Sequence, residues 1–345
     1  MGGAAGHMAH PFNIVQSGKE LHKLFVETYN LVHNNPSYAS VKIDGINTSV
    51  KIVNAATKPG KQFALDRGSA KDLDVLGVTK NNLEARFGAG HGMVAKGGVV
   101  LDILNDAIPS IKKELKLLGM WDDSSLVLNM EYVEGKSNVQ DYGYNFLAVH
   151  GLLGMKFVTN KRRVSFDVDF ATITMNRLIT KLNKVANDYG FKVFGAVNIF
   201  EVQAPNFDKE LNKKYTIRYS EDVKVTKTLR DWLYAVDQVP HNETFKLANG
   251  KKVEALSKEV FVSVMEGCVL STYLQDPVDS FKFAVNGFVC YLATMKLGEE
   301  FLKAFSSELG YVNGQEGLVI RGVMNNPFKI TGTFILRGMQ SSFQK

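Results

Sequence analysis

The sequence predicts an α+β chain in which antiparallel sheets are flanked by helices. Apolar runs with strand-like character fall at residues 41–53, 62–65, 126–133 and 146–153. Residues 17–31 and 99–118 carry apolar side chains at helical spacing instead. Turn residues punctuate these runs at Asn34-Asn35-Pro36, Asp44-Gly45, Pro59-Gly60 and Gly119.

At 345 residues, 45% hydrophobic and 10% aromatic, the chain has material for a sizeable core and one or two domains. No apolar run has the length of a membrane span, so no membrane association is expected. Two cysteines, Cys268 and Cys290, supply neither a disulfide framework nor a Cys-rich zinc site, which fits a cytoplasmic setting. The net charge of +6 and the basic pI of about 9.0 suit a polyanionic partner, though only weakly. Residues 1–10 read as a cloning remnant and are set aside.

The first helix, 17–31, opens with Ser17 and Glu20 at capping-box spacing, and Leu21, Leu24, Phe25 and Leu31 recur near helical period. Next come Val41 and Ile43, then Val50-Lys51-Ile52-Val53, read as two strands with Asp44-Gly45 as the tight turn of a hairpin. Lys42 then sits at a strand end with a carboxylate two residues on. A lysine held this way can be a nucleophile once its amine is neutral; the plain reading is a surface lysine. The strand Gln62 to Leu65 runs into Asp66-Arg67-Gly68-Ser69, where Arg67 is either a turn arginine or a fork for an anion. The glycine-rich stretch 86–98 lacks the Gly-Lys-Ser/Thr ending of a P-loop and reads as a lid or a plain loop. A helix follows over 99–118, with Pro109 as a candidate kink.

The strand Leu126 to Val133 carries Glu131 inside an apolar run. A carboxylate there faces water on a sheet edge or needs a partner or a task. A second apolar strand covers 146–153. Residues 155–170 read as strands around the basic turn Lys161-Arg162-Arg163, and 175–189 as a helix ending at Gly190. Residues 191–202 and 215–219 read as strands, and 226–238, 251–266 and 288–309 as helices, the last closed by Gly310. Strands at 315–322 and 328–334 close the chain.

Six short motifs stand in one order: Lys42-Ile43-Asp44-Gly45, Asp66-Arg67-Gly68-Ser69, Asn129-Met130-Glu131-Tyr132, Phe146-Leu147-Ala148-Val149-His150-Gly151, Glu316-Gly317-Leu318-Val319-Ile320-Arg321 and Phe328-Lys329-Ile330. This order resembles the covalent nucleotidyltransferase superfamily of nucleic-acid ligases and RNA capping enzymes. The resemblance implies an ATP-grasp-like ligase core. It implies that Lys42 carries AMP, that Arg67 contacts the ribose or the acceptor 5′-phosphate, and that Asp44 and Gly45 complete the nucleophile motif. It further implies that Glu131 accepts from ribose hydroxyls, that Phe146 stacks on the base, that Glu316 binds Mg²⁺ or its waters (with Mn²⁺ as a substitute), and that Lys329 holds the α-phosphate. ATP and Mg²⁺ are the expected cofactors, and RNA ends the expected partner, with DNA ends as the alternative.

The chain departs from the family pattern in places. The fifth motif usually has two lysines around one spacer; here the second is Thr331, and Arg321 or Arg337 is the candidate substitute for phosphate contact. His150 lies where related strands often have an acid. A decoy for the fourth and fifth motifs stands at Met265 to Leu270 and Phe281-Lys282-Phe283, but lacks the arginine. The motif order implies a nucleotidyltransferase core over 11–155 and 301–345, with a mixed, largely helical accessory region at 156–300. The sixteen residues after Lys329 do not make an oligonucleotide-binding barrel, and Asp44-Gly45-Ile46-Asn47-Thr48 looks closest to phage and RNA-repair RNA ligases. The expected activity is therefore ATP-dependent RNA ligation. The alternatives are a minimal DNA ligase, using ATP or NAD, and a catalytically silent nucleic-acid-binding protein with the same fold.

Overall fold

The computed structural model describes residues 8–15, 17–43, 45–55, 60–135, 142–195, 199–201, 204–218, 222, 224–237, 244–246, 252–254, 287, 289–307 and 317–332. In chain order its first elements are α1 (Gly18–Asn34), β1 (Ala39–Lys42), β2 (Ile46–Asn47), β3 (Val50–Asn54) and β4 (Lys61–Leu65). There follow α2 (Asp72–Leu76), α3 (Leu83–Phe87), α4 (Gly92–Leu117), β5 (Leu126–Val133), β6 (Asn145–Thr159), β7 (Arg162–Val168), α5 (Thr172–Asn187), β8 (Phe191–Phe194) and β9 (Ile199–Glu201). The rest are α6 (Phe207–Leu211), β10 (Lys214–Arg218), β11 (Lys224–Thr228), α7 (Leu229–Val236), β12 (Thr244–Lys246), β13 (Lys252–Glu254), α8 (Cys290–Lys303), β14 (Phe305–Ser307), β15 (Gly317–Ile320) and β16 (Phe328–Thr331). The architecture is α+β; among the described residues the strand pairs are antiparallel apart from β6 with β8, and an isolated parallel bridge joins Ala9 and Phe328.

The described residues of 43–197 form one compact unit; those of 8–42, 198–310 and 315–345 form a second. The first is built on a seven-stranded sheet in the order β4-β3-β5-β6-β7, with β2 pairing β5 and β8 pairing β6. One face of that sheet contributes Val50, Ile52, Leu128, Met130, Tyr132, Leu147, Val149 and Leu152 to a single core. The helices α4 and α5 cover it with Val100, Leu101, Leu104, Ile111, Leu178 and Leu182. Strand side chains alternate between faces, so Lys51, Asn129 and Glu131 fall on the opposite one. In the second unit, β1, β15 and β16 make a three-stranded antiparallel sheet, and α8 lies against β16 and α1. The apolar stripe of α1 is anchored by Ser17, whose side chain accepts from the Glu20 N–H at 3.0 Å, as the capping spacing predicts.

Four expectations are corrected. The Asp44-Gly45 hairpin does not form: β1 pairs with β15, whereas β3 pairs with β4 and β5, so the two apolar runs belong to different sheets. Gly45 is needed for a close approach instead. A Cβ on it would lie 2.9 Å from Val133 Cγ2 and 3.0 Å from the Tyr132 carbonyl oxygen. The glycine-rich stretch is not a loop throughout, because α4 already begins at Gly92. There Gly97 lets the helix approach the sheet; its Cβ would meet Leu65 Cδ1 at 2.9 Å. Of the helix expected over 288–309, α8 ends at Lys303 and β14 follows; of that over 251–266, residues 252–254 are a strand and 255–266 lie outside the described residues. Gly310 and both decoy segments also lie outside them.

Candidate active site

The polar face of the seven-stranded sheet is organised around Asn47. Its backbone pairs with Glu131 across β2 and β5. Its side chain donates to Asn129 Oδ1 at 3.2 Å, and Ser49 Oγ lies 3.1 Å from both Asn47 Oδ1 and Asn129 Oδ1. Arg67 reaches the same residue from the end of β4, its Nη1 donating to the Asn47 carbonyl at 2.5 Å and lying 3.8 Å from Met93 Sδ. Its Nε and Nη2 make no hydrogen bond. Half-buried, the guanidinium is held below its usual range, chiefly by loss of solvent, with Asp74 opposing and Arg86 adding to the shift. A desolvated cation with two open donor groups is a ready acceptor site for phosphate or carboxylate.

Glu131 is not on an edge, since β5 lies between β3 and β6. The β6 register slips opposite Asn129 and Met130: Asn129 pairs with Gly151, but Met130 pairs with Val149. His150 is therefore the extra residue of a β-bulge, and the bulge turns it toward Glu131. His150 Nε2 and Glu131 Oε2 stand 3.7 Å apart, enclosed, and neither makes a hydrogen bond. Glu131 Oε1 also lacks a hydrogen bond but is not enclosed.

The loop carrying Arg67 is anchored by buried charge. Lys51 Nζ, 1% exposed, donates to Asp66 Oδ2 (2.9 Å) and to the carbonyls of Asp74 (3.0 Å) and Val75 (2.6 Å). Arg163 forks onto both oxygens of Asp66 at 3.1 and 2.8 Å and onto the Ser69 carbonyl at 3.1 Å. Asp66 Oδ1 accepts from the Gly68 N–H at 2.8 Å. Arg86 forks onto Asp74 at 2.9 and 2.8 Å, and Ser69 donates to the same carboxylate. Burial alone would raise the Asp74 carboxyl, but the bonds from Arg86 and Ser69 outweigh it and hold it low. Loss of solvent lowers the Lys51 ammonium, with Asp66 opposing the shift. Among the described residues Lys51, Arg67, Arg86 and Arg163 face only Asp66 and Asp74, so the cluster as described carries a positive excess.

Phe146, expected to stack on a base, is wholly buried and ringed by Tyr142, Tyr144 and Phe194 at 5.2, 5.7 and 5.5 Å. A base stacked on it would have to displace one of these rings.

In the second unit, Lys42 ends β1 directly opposite Gly317, and Lys329 lies opposite Val319 on β16. Both lysines are half-buried. Gly317 has φ 155°, and a Cβ there would be 2.0 Å from the Ile330 carbonyl oxygen, so no side chain fits beside Lys42 at this position. Arg321 Nη1 donates to Ser40 Oγ at 2.9 Å. Thr331, where a second lysine was expected, is wholly buried with its hydroxyl 3.7 Å from Met295 Sδ. The position belongs to the core, where a lysine ammonium would be buried. Asp44, Glu316 and Arg337 lie outside the described residues. Among the described residues no group of three or more His, Cys, Asp or Glu could hold a metal ion.

Sequence reasoning missed Asn47, Lys51, Asp66 and Arg163 as parts of the site's support, and set His150 down only as a departure from the family pattern. Lys51 offered a signal: a lysine within Val-Lys-Ile-Val is as costly as a glutamate within an apolar strand. No protein-family model, curated protein or solved structure matches the chain. No helix among the described residues is long and apolar enough to cross a membrane.

Proposed function

We propose that this protein is a covalent nucleotidyltransferase, and within that class an ATP-dependent RNA ligase. The observation that carries the reading is the convergence on Asn47. Arg67, with two open donor groups, bonds its carbonyl, and Glu131, with an open carboxylate oxygen, pairs with it across the sheet. A cation for phosphate oxygens and a carboxylate for hydroxyls, both meeting at Asn47, suit a nucleotide.

In this reading the neutral Lys42 amine attacks the α-phosphorus of ATP. A P–N bond forms, the P–O bond to pyrophosphate breaks, and the amine proton goes to solvent. Lys329 would stabilise the charge on the α-phosphate. An oxygen of an RNA 5′-phosphate then attacks the same phosphorus and returns the lysine. Finally a 3′-hydroxyl attacks the adenylated 5′-phosphate, forming the phosphodiester and expelling AMP. RNA is favoured over DNA by the Asp44-Gly45-Ile46-Asn47-Thr48 segment. Thr331 favours a silent nucleic-acid binder as the second reading, since it removes one phosphate-contacting lysine.

The test is incubation with α-labelled ATP, GTP or NAD and a divalent cation, followed by denaturing electrophoresis. An acid-labile band from ATP that Lys42→Ala abolishes supports the ligase. Label from GTP or NAD moves the protein to another branch. No band from any of them, in protein that mass spectrometry shows to be free of bound AMP, sinks the enzyme and leaves the binder.

A further inference from the structure

We infer that His150 is a positioning residue that fixes the Glu131 carboxylate, and that selection of a ribonucleotide over a deoxynucleotide depends on this pair. The inference rests on the nucleotide reading above.

The geometry is specific. The bulge in β6 spends one extra residue to bring an imidazole against a carboxylate on the neighbouring strand. The two facing atoms, Glu131 Oε2 and His150 Nε2, are the enclosed ones, and each lacks any other partner. Enclosed polar atoms without a bond are costly, so both atoms gain by closing on each other. The 3.7 Å gap closes to a hydrogen bond by a small side-chain rotation. Once Oε2 is tied by His150 Nε2–H, the carboxylate can no longer turn about its terminal torsion. Oε1, the oxygen that is not enclosed, is then the fixed acceptor for a hydroxyl. Without His150 the same oxygen is still present but its direction is not held. Binding of a hydroxyl then costs the ordering of the side chain. Asn129 and Asn47 already bond each other and Ser49, so neither replaces the imidazole.

The experiment measures lysyl-adduct formation with ATP, 2′-deoxy-ATP and 3′-deoxy-ATP in the unsubstituted protein, His150→Ala, His150→Gln and Glu131→Gln. Glutamine places an N–H near the position of Nε2. His150→Ala is expected to lower kcat/KM for ATP about tenfold, equivalent to about 1.4 kcal/mol, with little change for the deoxynucleotide whose missing hydroxyl Glu131 would bind. His150→Gln is expected to recover most of the loss, and His150→Ala on top of Glu131→Gln to add nothing. Equal losses on all three nucleotides, or an unchanged preference in a His150→Ala protein with native circular dichroism, overturn the inference alone. No adduct from any nucleotide in the unsubstituted protein overturns the nucleotide reading and the inference with it.

Discussion

Asp66→Ala should be among the most damaging single substitutions in the unit formed by residues 43–197. Asp66 is wholly buried and, among the described residues, is the only carboxylate bonded to Lys51 and to Arg163, whose side chains are 1% and 4% exposed. Removing it leaves Lys51 with two carbonyl acceptors and Arg163 with one, and both cations without a counter-charge. Breaking a buried ion pair from one side costs about 3–5 kcal/mol, which is a large share of a stability of about 5–15 kcal/mol. At about 2–4 °C per kcal/mol for a unit of this size, the melting temperature should fall by roughly 6–20 °C. The chain has two tryptophans, and Trp121 lies in this unit. Trp121 fluorescence in a Trp232→Phe background therefore reports the transition during urea titration. The comparison is Asp102→Ala, which breaks the exposed 2.6 Å pair with Lys80 and should cost under about 1 kcal/mol. If Asp66→Ala also costs under about 1 kcal/mol, the network is not holding the loop and the account of how Arg67 is positioned is wrong.

Two further outcomes follow from the same structure. Thr331→Lys should not strengthen nucleotide capture, although it restores the two-lysine pattern. It buries an unpaired ammonium beside Met295 and should cost about 3 kcal/mol or more; a melting temperature within a degree of the parent, with faster adduct formation, would refute this. Asp74 is held below the ordinary carboxylate range, while unfolded aspartate titrates near 3.9. Between those two values the unfolded chain binds the extra proton. The Asp74 contribution is therefore complete above pH 4–5 or so and disappears as pH falls through the folded value. Urea midpoints measured downward from pH 6 should decline in the parent protein and decline less steeply in Asp74→Asn; equal slopes would count against the Arg86 and Ser69 bonds as its source.

Local signals were legible and distant ones were not. Ser17 and the helix behind it, the strand around Glu131, and the Arg67 position just past β4 follow from caps and alternation within a few residues. Strand partnership did not follow. The Asp-Gly pair looks like a hairpin turn because turn chemistry is local, but the partner of β1 is β15, and the glycine is there because β5 passes close by. Gly97 reads as loop for the same reason: its purpose is contact with Leu65, which sequence spacing does not reveal. His150 depends on a one-residue slip in register, and such a slip changes which side chains share a face without leaving a mark in composition. Asp66 and Arg163 are 97 residues apart, so their pairing was invisible although both charges were in view.

The strand that ends in Lys42 has a consequence for synthesis. Residues 43–197 are contiguous and can collapse as soon as they leave the ribosome. The strand β1 cannot, because its hydrogen-bonding edge waits for β15; the Arg321–Ser40 bond closes a span of 281 residues. At elongation rates of about 5–20 residues per second, that edge stays without its partner for roughly 15–60 s. The segment bearing the proposed nucleophile would thus acquire its fold only after β15 has been made. A nascent chain stalled before residue 317 would expose it as a bare strand open to chaperones, proteases or another chain.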